Sequence, residues 1–104
     1  MRGDIYRLRA PRDTRGSEQH GSRYAVILQS DDLMLSTALV APTSRSAAAR
    51  DFRPTITIGN ESTQVLLEQT AAVDPTRLGE FVGRVSREEL SAIDASLRLV
   101  LALD

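Results

Sequence analysis

Two short stretches of the sequence place reactive side chains where a polar loop meets an apolar run. The first is Gly16-Ser17-Glu18-Gln19-His20-Gly21-Ser22-Arg23, which delivers an arginine to the mouth of Tyr24-Ala25-Val26-Ile27-Leu28. The second is Val40-Ala41-Pro42-Thr43-Ser44-Arg45, where an apolar run ends in two hydroxyls and a cation. Groups at strand ends are held by a rigid sheet yet face an open loop surface, which is where sites tend to form. A guanidinium there offers fixed, paired donors to phosphate oxygens, and a threonine hydroxyl adds one more. Both residues also have ordinary uses, because a strand-end arginine is often merely solvated and a threonine after proline often belongs to a turn. Residue type alone leaves the two readings open.

Other constellations are missing. The single histidine, His20, excludes a histidine acid–base pair within one chain, and the absence of cysteine excludes disulfides and thiolate metal sites. No Gly-x-Ser-x-Gly elbow or glycine-rich phosphate loop occurs. Asp31-Asp32 has the type of a cation ligand, but adjacent acids after a strand read as a turn. The expectation is a site with neither metal nor cofactor.

The elements that must position these groups are mostly strands. Arg2 to Arg9 reads as an opening strand, and 10–21 as a loop of about a dozen residues, a length that is usually functional or disordered. Arg23 to Gln29 is continuously apolar, the mark of a strand buried on both faces. Ser30-Asp31-Asp32 supplies a turn, and Thr37 to Ala41 a strand stopped by Pro42, with Thr43 to Arg50 a second surface loop. Thr55-Ile56-Thr57-Ile58 alternates and is β-branched, Gly59 to Ser62 turns the chain, and Gln64 to Leu67 returns it. Val82 to Val85 predicts a last short strand after a Leu78-Gly79 corner. Ser86-Arg87-Glu88-Glu89 has the capping-box pattern, and Leu90, Ile93, Leu97, Val100 and Leu101 follow at helical spacing. Short strands without intervening helices predict a mainly antiparallel, curved sheet or small barrel closed by one C-terminal helix, a mainly β, α+β fold.

Composition bounds the rest. With 104 residues the chain suits one domain, 1–104, with one modest core. An apolar fraction of 41% and a charged fraction of 26% are ordinary for a soluble globular protein. Met1-Arg2-Gly3-Asp4 has no apolar signal region, and the longest apolar run, near Leu97 to Leu103, is broken by Arg98 and too short to span a bilayer. A cytoplasmic protein with no membrane partner is the expectation. Net charge is −1, yet residues 1–54 carry nine Arg against six acids and residues 55–104 four Arg against eight. Every cation is arginine, as a GC-rich genome would give and as bidentate phosphate contacts would also use.

Taken in order, these segments resemble the MazF/PemK toxin family. Met1-Arg2-Gly3-Asp4-Ile5-Tyr6 is similar to its opening strand. Gly16-Ser17-Glu18-Gln19 followed by Gly21-Ser22-Arg23-Tyr24-Ala25-Val26-Ile27-Leu28 is similar to its Gly-x-Glu-Gln loop, Arg-Pro pair and apolar strand. Val40-Ala41-Pro42-Thr43-Ser44 matches its strand-ending Thr/Ser, Glu68-Gln69 its Asp/Glu-Gln pair, and Leu78-Gly79-Glu80-Phe81-Val82-Gly83-Arg84-Val85-Ser86 its corner before the last helix. The match runs nearly end to end. One departure is Tyr24, which stands where the family has proline, so the backbone restraint that proline gives is absent.

The resemblance implies a small SH3-like barrel of the CcdB/PemK type, a homodimer, and a MazE-like antitoxin as partner. It also implies a sequence-specific endoribonuclease that cuts single-stranded RNA without metal by 2′-hydroxyl attack, leaving 2′,3′-cyclic phosphate and 5′-hydroxyl ends. On that pattern Arg23 binds the phosphate and serves as acid, Thr43 positions the phosphate and stabilises its charge, and Glu18 is the candidate base. Gln19, Ser22, Tyr24, Ser44 and Gln69 are the implied RNA contacts, with Tyr24 able to stack on a splayed base. A CcdB-like toxin that binds gyrase without cutting, and a family member that has lost catalysis, are the alternatives on the same fold.

Overall fold

In a computed structural model, residues 1–9 and 23–104 are described. The strands are β1 (Asp4–Leu8), β2 (Tyr24–Ile27), β3 (Ala38–Ser44), β4 (Thr55–Ile58), β5 (Glu61–Val65), β6 (Ala71–Val73) and β7 (Leu78–Arg84), followed by the helix α1 (Arg87–Leu101). Every strand pairing among the described residues is antiparallel, in the order β4-β5-β3-β2-β1-β7 with β6 also on β3. The long strand β3 changes partners along its length. Ala38 to Val40 pair with β6, Val40 to Pro42 with β2, and Thr43 and Ser44 with β5. One strand serving three neighbours bends the sheet around itself, giving the curled half-barrel with one C-terminal helix that the periodicity predicted.

The continuous apolar run in β2 is buried on both faces, as expected. Val26 and Leu28 join Ile5, Ala41, Ile56, Val65, Leu67, Val85 and Ile93 in the core beneath the helix, while Ala25 and Ile27 meet Val40 and Val73 on the opposite face. Successive strand residues point to opposite faces, so a strand with apolar cover on both sides needs apolar residues at every position.

Pro42 does not stop β3, which runs on to Ser44. Leu28 N–H donates to the Leu39 carbonyl at 2.9 Å, so that pair is a bonded one in the β2–β3 ladder. Bonded and non-bonded pairs alternate, and Pro42, opposite Ala25, falls in a non-bonded position where β2 asks for no N–H. Its carbonyl is still used, accepting from Leu66 N–H at 2.8 Å. Thr43 and Ser44, expected in a loop, are therefore strand residues, and only the segment after them is irregular. The expected return strand Gln64 to Leu67 begins earlier, at Glu61, and ends at Val65, with Leu67–Gln69 forming a 3-10 turn. The Leu78-Gly79 corner is part of β7, whose pairing with β1 is interrupted by bulges. Strand β6 has no alternating pattern, so the sequence carries no signal for it.

The capping box of α1 forms as its sequence predicts: Ser86 Oγ accepts from Glu89 N–H at 3.0 Å, and Glu89 accepts from Ser86 N–H at 2.8 Å. The other Glu89 oxygen accepts from Thr57 N–H at 2.8 Å, which ties the helix start to the outer edge of β4. Leu90, Ile93, Leu97 and Val100 pack on the core, but Leu101 is 58% exposed. Ser96 is buried on the helix instead, its hydroxyl donating to the Asp51 carbonyl at 2.8 Å. Among the described residues no helix is long and apolar enough to cross a membrane.

Candidate functional site

Arg23 lies immediately before β2, where its carbonyl accepts from Leu8 N–H of β1 at 2.9 Å. Its side chain is exposed and makes no hydrogen bond or ion pair with another described residue. That sets it apart from Arg2, Arg7, Arg45, Arg53 and Arg84, each of which meets a carboxylate. A guanidinium fixed at its backbone and unengaged at its tip is ready to take an anionic oxygen pair.

Extending the β2–β3 register by one residue sets Thr43 opposite Tyr24. The contact is made: Thr43 Oγ1 donates to the Tyr24 carbonyl at 3.3 Å. Thr43, which the resemblance gives the role of positioning the phosphate and stabilising its charge, is 3% exposed, and its hydroxyl proton is directed at the Tyr24 carbonyl. Ser44 sits at the end of β3, its hydroxyl accepting from Ser46 and Ala47 N–H groups at 3.3 and 3.1 Å, which closes the turn that follows. Gln69 is exposed in the Leu67–Gln69 turn, whose approach is joined to β3 through the Leu66-to-Pro42 bond. The structure thus gathers Arg23, Tyr24, Thr43 and Ser44 at one end of the β2–β3 pair, with the Gln69 turn alongside. Glu18, Gln19 and Ser22 lie outside the described residues.

The loop after β3 is pinned from several sides. Arg53 grips Glu68 through Nε at 2.9 Å and Nη2 at 2.7 Å, and its guanidinium lies 5.4 Å from the Phe52 ring. The hydrogen bond from Arg53 holds the Glu68 carboxyl below its usual range despite partial desolvation. Arg45 pairs with Glu61 across to β5. The two ion pairs have no sequence signature, because each joins residues far apart in the chain.

Beside Tyr24 a pocket of about 540 Å³ opens between the β4–β5 turn and the edge of β7. Arg7 lies over the Tyr24 ring at 5.4 Å and pairs with Glu80 at 3.2 Å. Phe81 meets the Tyr6 ring edge-on, with centroids 5.6 Å apart, and is 49% exposed. The one hint in the sequence is scarcity: the chain has only two tyrosines and two phenylalanines, and one of each lines this pocket. Among the described residues no group of three or more His, Asp or Glu is arranged to hold a metal.

Comparison with known proteins places this geometry in a family. The pattern described as "PemK-like, MazF-like toxin of type II toxin-antitoxin system" matches residues 1–101. The Mycobacterium tuberculosis protein Rv3098A, named as a candidate toxin, is 30% identical over 104 residues, covering 99% of this chain and 98% of its own. Among solved structures, an endoribonuclease in complex with its cognate antitoxin from a mycobacterial species superposes with a TM-score of 0.79 at 14% identity, over 100% of this chain and 96% of the other. The Mycobacterium tuberculosis toxin MazF-mt6 gives 0.78 at 16% identity, over 97% and 98%. MazF from Deinococcus radiodurans gives 0.74 at 21% identity, over 97% and 94%. At these identities the structures speak for the fold, and the family pattern speaks for kinship. With nearly its whole length matched, the chain belongs to the PemK-like, MazF-like toxins of type II toxin–antitoxin systems.

Proposed function

We propose that this chain is a sequence-specific endoribonuclease toxin that cuts single-stranded RNA in the cytoplasm without metal, works as a homodimer, and is silenced by a cognate MazE-like antitoxin. The observation that carries the reading is Arg23: a backbone-anchored, exposed guanidinium without a partner among the described residues, at the strand end to which the resemblance assigns the phosphate-binding arginine. A solved neighbour that is an endoribonuclease bound to its antitoxin supports the same class.

In this reading the ribose 2′-oxygen attacks the adjacent phosphorus while the bond from phosphorus to the 5′-oxygen breaks. The products are a 2′,3′-cyclic phosphate and a 5′-hydroxyl, and the proton lost at the 2′-oxygen is balanced by the one gained at the 5′-oxygen. Arg23 binds the non-bridging oxygens as charge gathers on them, the kind of preorganised contact that is usually the largest contribution to such catalysis. Its guanidinium is assigned as proton donor to the departing oxygen. An arginine stays protonated and cannot accept the 2′-hydroxyl proton, so that task is assigned to Glu18. Thr43 acts as a positioning residue: its buried hydroxyl holds the Tyr24 carbonyl and so sets the strand end that carries Arg23.

Incubating purified protein with a long single-stranded RNA tests this. Arg23→Ala is expected to slow cleavage by about 10²–10³, and Arg23→Lys to recover only part of it because a lysine lacks the paired donors. Equal cleavage by wild type and Arg23→Ala, or none by either, would sink the proposal. Trapping of gyrase on DNA with Arg23 dispensable would favour the non-cutting alternative.

A further inference from the structure

Besides Arg23, two arginines at the same end of the sheet meet no carboxylate among the described residues. Arg9 and Arg77 close the end of the β1–β7 pair on one another. Arg9 N–H donates to the Arg77 carbonyl at 2.7 Å, and Arg77 Nε returns a bond to the Arg9 carbonyl at 2.9 Å. Arg9 Nη1 also donates to the Thr76 carbonyl at 3.0 Å. Main-chain oxygens thus fix both guanidiniums, yet each spends a single N–H on them and keeps the rest of its donor fork. The carboxylates nearby in sequence are engaged elsewhere. Asp74 takes the Thr76 N–H and hydroxyl, both at 2.9 Å, and Glu80 pairs with Arg7. Two cations fixed at one strand end repel each other, and an anion held by both offsets that cost.

The strand pairing places this clasp relative to Arg23. Arg7 pairs with Tyr24, so Leu8 stands beside Arg23, whose carbonyl accepts its N–H, and Leu8 also pairs with Leu78, the residue after Arg77. Neighbouring strands lie about 4.8 Å apart, so the backbones of Arg23, Leu8 and Leu78 form a row about 10 Å wide. The side chains leave that row on different faces. Successive strand residues alternate, which sends Arg23 to the side opposite Tyr24. Arg9 is on the Arg7 side, because a Cβ added at Gly79 would stand 3.5 Å from both Arg7 Cβ and Arg9 Nε. Arg7 in turn lies over the Tyr24 ring. Arg23 and the clasp therefore serve different phosphates. We propose that the clasp of Arg9 and Arg77 binds a phosphodiester of the RNA other than the one that is cut, on a flexible strand that rounds the end of β1. The proposal rests on the RNA-cleaving reading for the identity of the strand. Contacts to phosphate fix a strand's position and carry no base preference, so the clasp adds affinity for any sequence.

The probe is a fluorescent 2′-O-methyl RNA of about twelve nucleotides, which lacks the attacking hydroxyl and is never cut. Its binding to the intact protein is followed by anisotropy at several salt concentrations. Each phosphate contact on a single strand contributes about 0.7 to the steepness of log K against log salt. The double variant Arg9→Gln/Arg77→Gln is expected to flatten that slope by about 0.7 and to weaken binding several-fold, equally for all base sequences. Arg9→Gln alone gives part of this and leaves the Arg77 bonds to the Arg9 backbone in place. Arg87→Gln, which removes the same charge from the exposed start of α1, should leave the slope as it is. On cleavable RNA the clasp variants should raise KM for long strands. They should not slow cutting of a dinucleoside monophosphate, which has only the scissile phosphate. An unchanged slope in both clasp variants would overturn the proposal, as would an equal loss on the dinucleoside monophosphate. Weaker binding of a glutamate-rich peptide with the RNA slope unchanged would also overturn it, and would give the clasp to an acidic protein partner. A flattened slope in a protein that cuts no RNA would leave the site standing and remove the catalytic reading.

Discussion

Thr43 has one hydroxyl proton, and its use decides what the residue does. The bond to the Tyr24 carbonyl, at 3.3 Å, is long for an O–H···O contact, so its contribution to stability is small. Its contribution to geometry is larger, because displacing a reacting group by an ångström can slow a reaction about a hundredfold. Thr43→Val keeps the shape and removes the donor. It is expected to lower kcat for RNA cleavage by about ten- to a hundredfold, to leave thermal stability within about 1 kcal/mol, and to raise amide exchange at Tyr24 and Ala25 without RNA. Thr43→Ser should restore both exchange and rate. Unchanged exchange with lost activity would make Thr43 a direct phosphate ligand. In the sequence Arg23 and Thr43 were legible as strand-end polar groups, and the family pattern singled them out. The hydroxyl's acceptor was not legible, because it depends on a register between strands that only the folded sheet defines.

At the scale of elements, legibility followed local periodicity. β2, β4 and α1 announced themselves through a continuous apolar run, an alternating β-branched run and a capping box. The sequence pattern stops β3 at Pro42 because the rule that proline ends a strand assumes that a ladder bond is needed there, and at this position β2 does not need one. β6, three residues long, pairs with β3 alone among the described residues and has no pattern of its own to read. β5 shows a local conflict with burial. Thr63 points inward opposite Ile56, is almost fully buried, and its hydroxyl has no hydrogen-bond partner among the described residues. Leaving a buried hydroxyl unsatisfied costs about 1–3 kcal/mol. Thr63→Val, of matching shape, is expected to stabilise the fold by up to about 1 kcal/mol, seen as a higher Tm by calorimetry. A lower Tm would mean that the hydroxyl finds a partner in solution.

For the whole molecule, residues 1–4 stitch distant parts together. Arg2 binds Asp94 of α1 at 2.6 Å and donates its backbone N–H to Asp31. Gly3 joins the Ile27 carbonyl and Val85 N–H, and Asp4 takes Arg84 at 2.7 Å and the Met1 ammonium at 2.9 Å. Burial raises the Asp4 carboxyl, but hydrogen bonds from the ammonium and Arg84, with their charges, outweigh it and leave the carboxyl below its ordinary value. A depressed carboxyl stabilises the fold fully above its unfolded value, near 3.9, and that contribution fades as pH falls through the lower folded value. Urea midpoints should therefore fall below about pH 4. Asp4→Asn should lower stability by about 1–3 kcal/mol at pH 7 and flatten that part of the profile. An unchanged acid limb in Asp4→Asn would place the acid sensitivity elsewhere. These ties brace β1 and β7, the strands that flank the pocket and lead toward Arg23. The central claim concerns what that braced framework does to RNA. Mapping the ends that the purified protein leaves on a long single-stranded RNA, in the presence of EDTA, tests it most directly. The account predicts recurrent cuts at a short motif, each with a 2′,3′-cyclic phosphate on one side and a 5′-hydroxyl on the other, and their loss in Arg23→Ala. Cuts bearing 5′-phosphates, cuts abolished by EDTA, or intact RNA would contradict it.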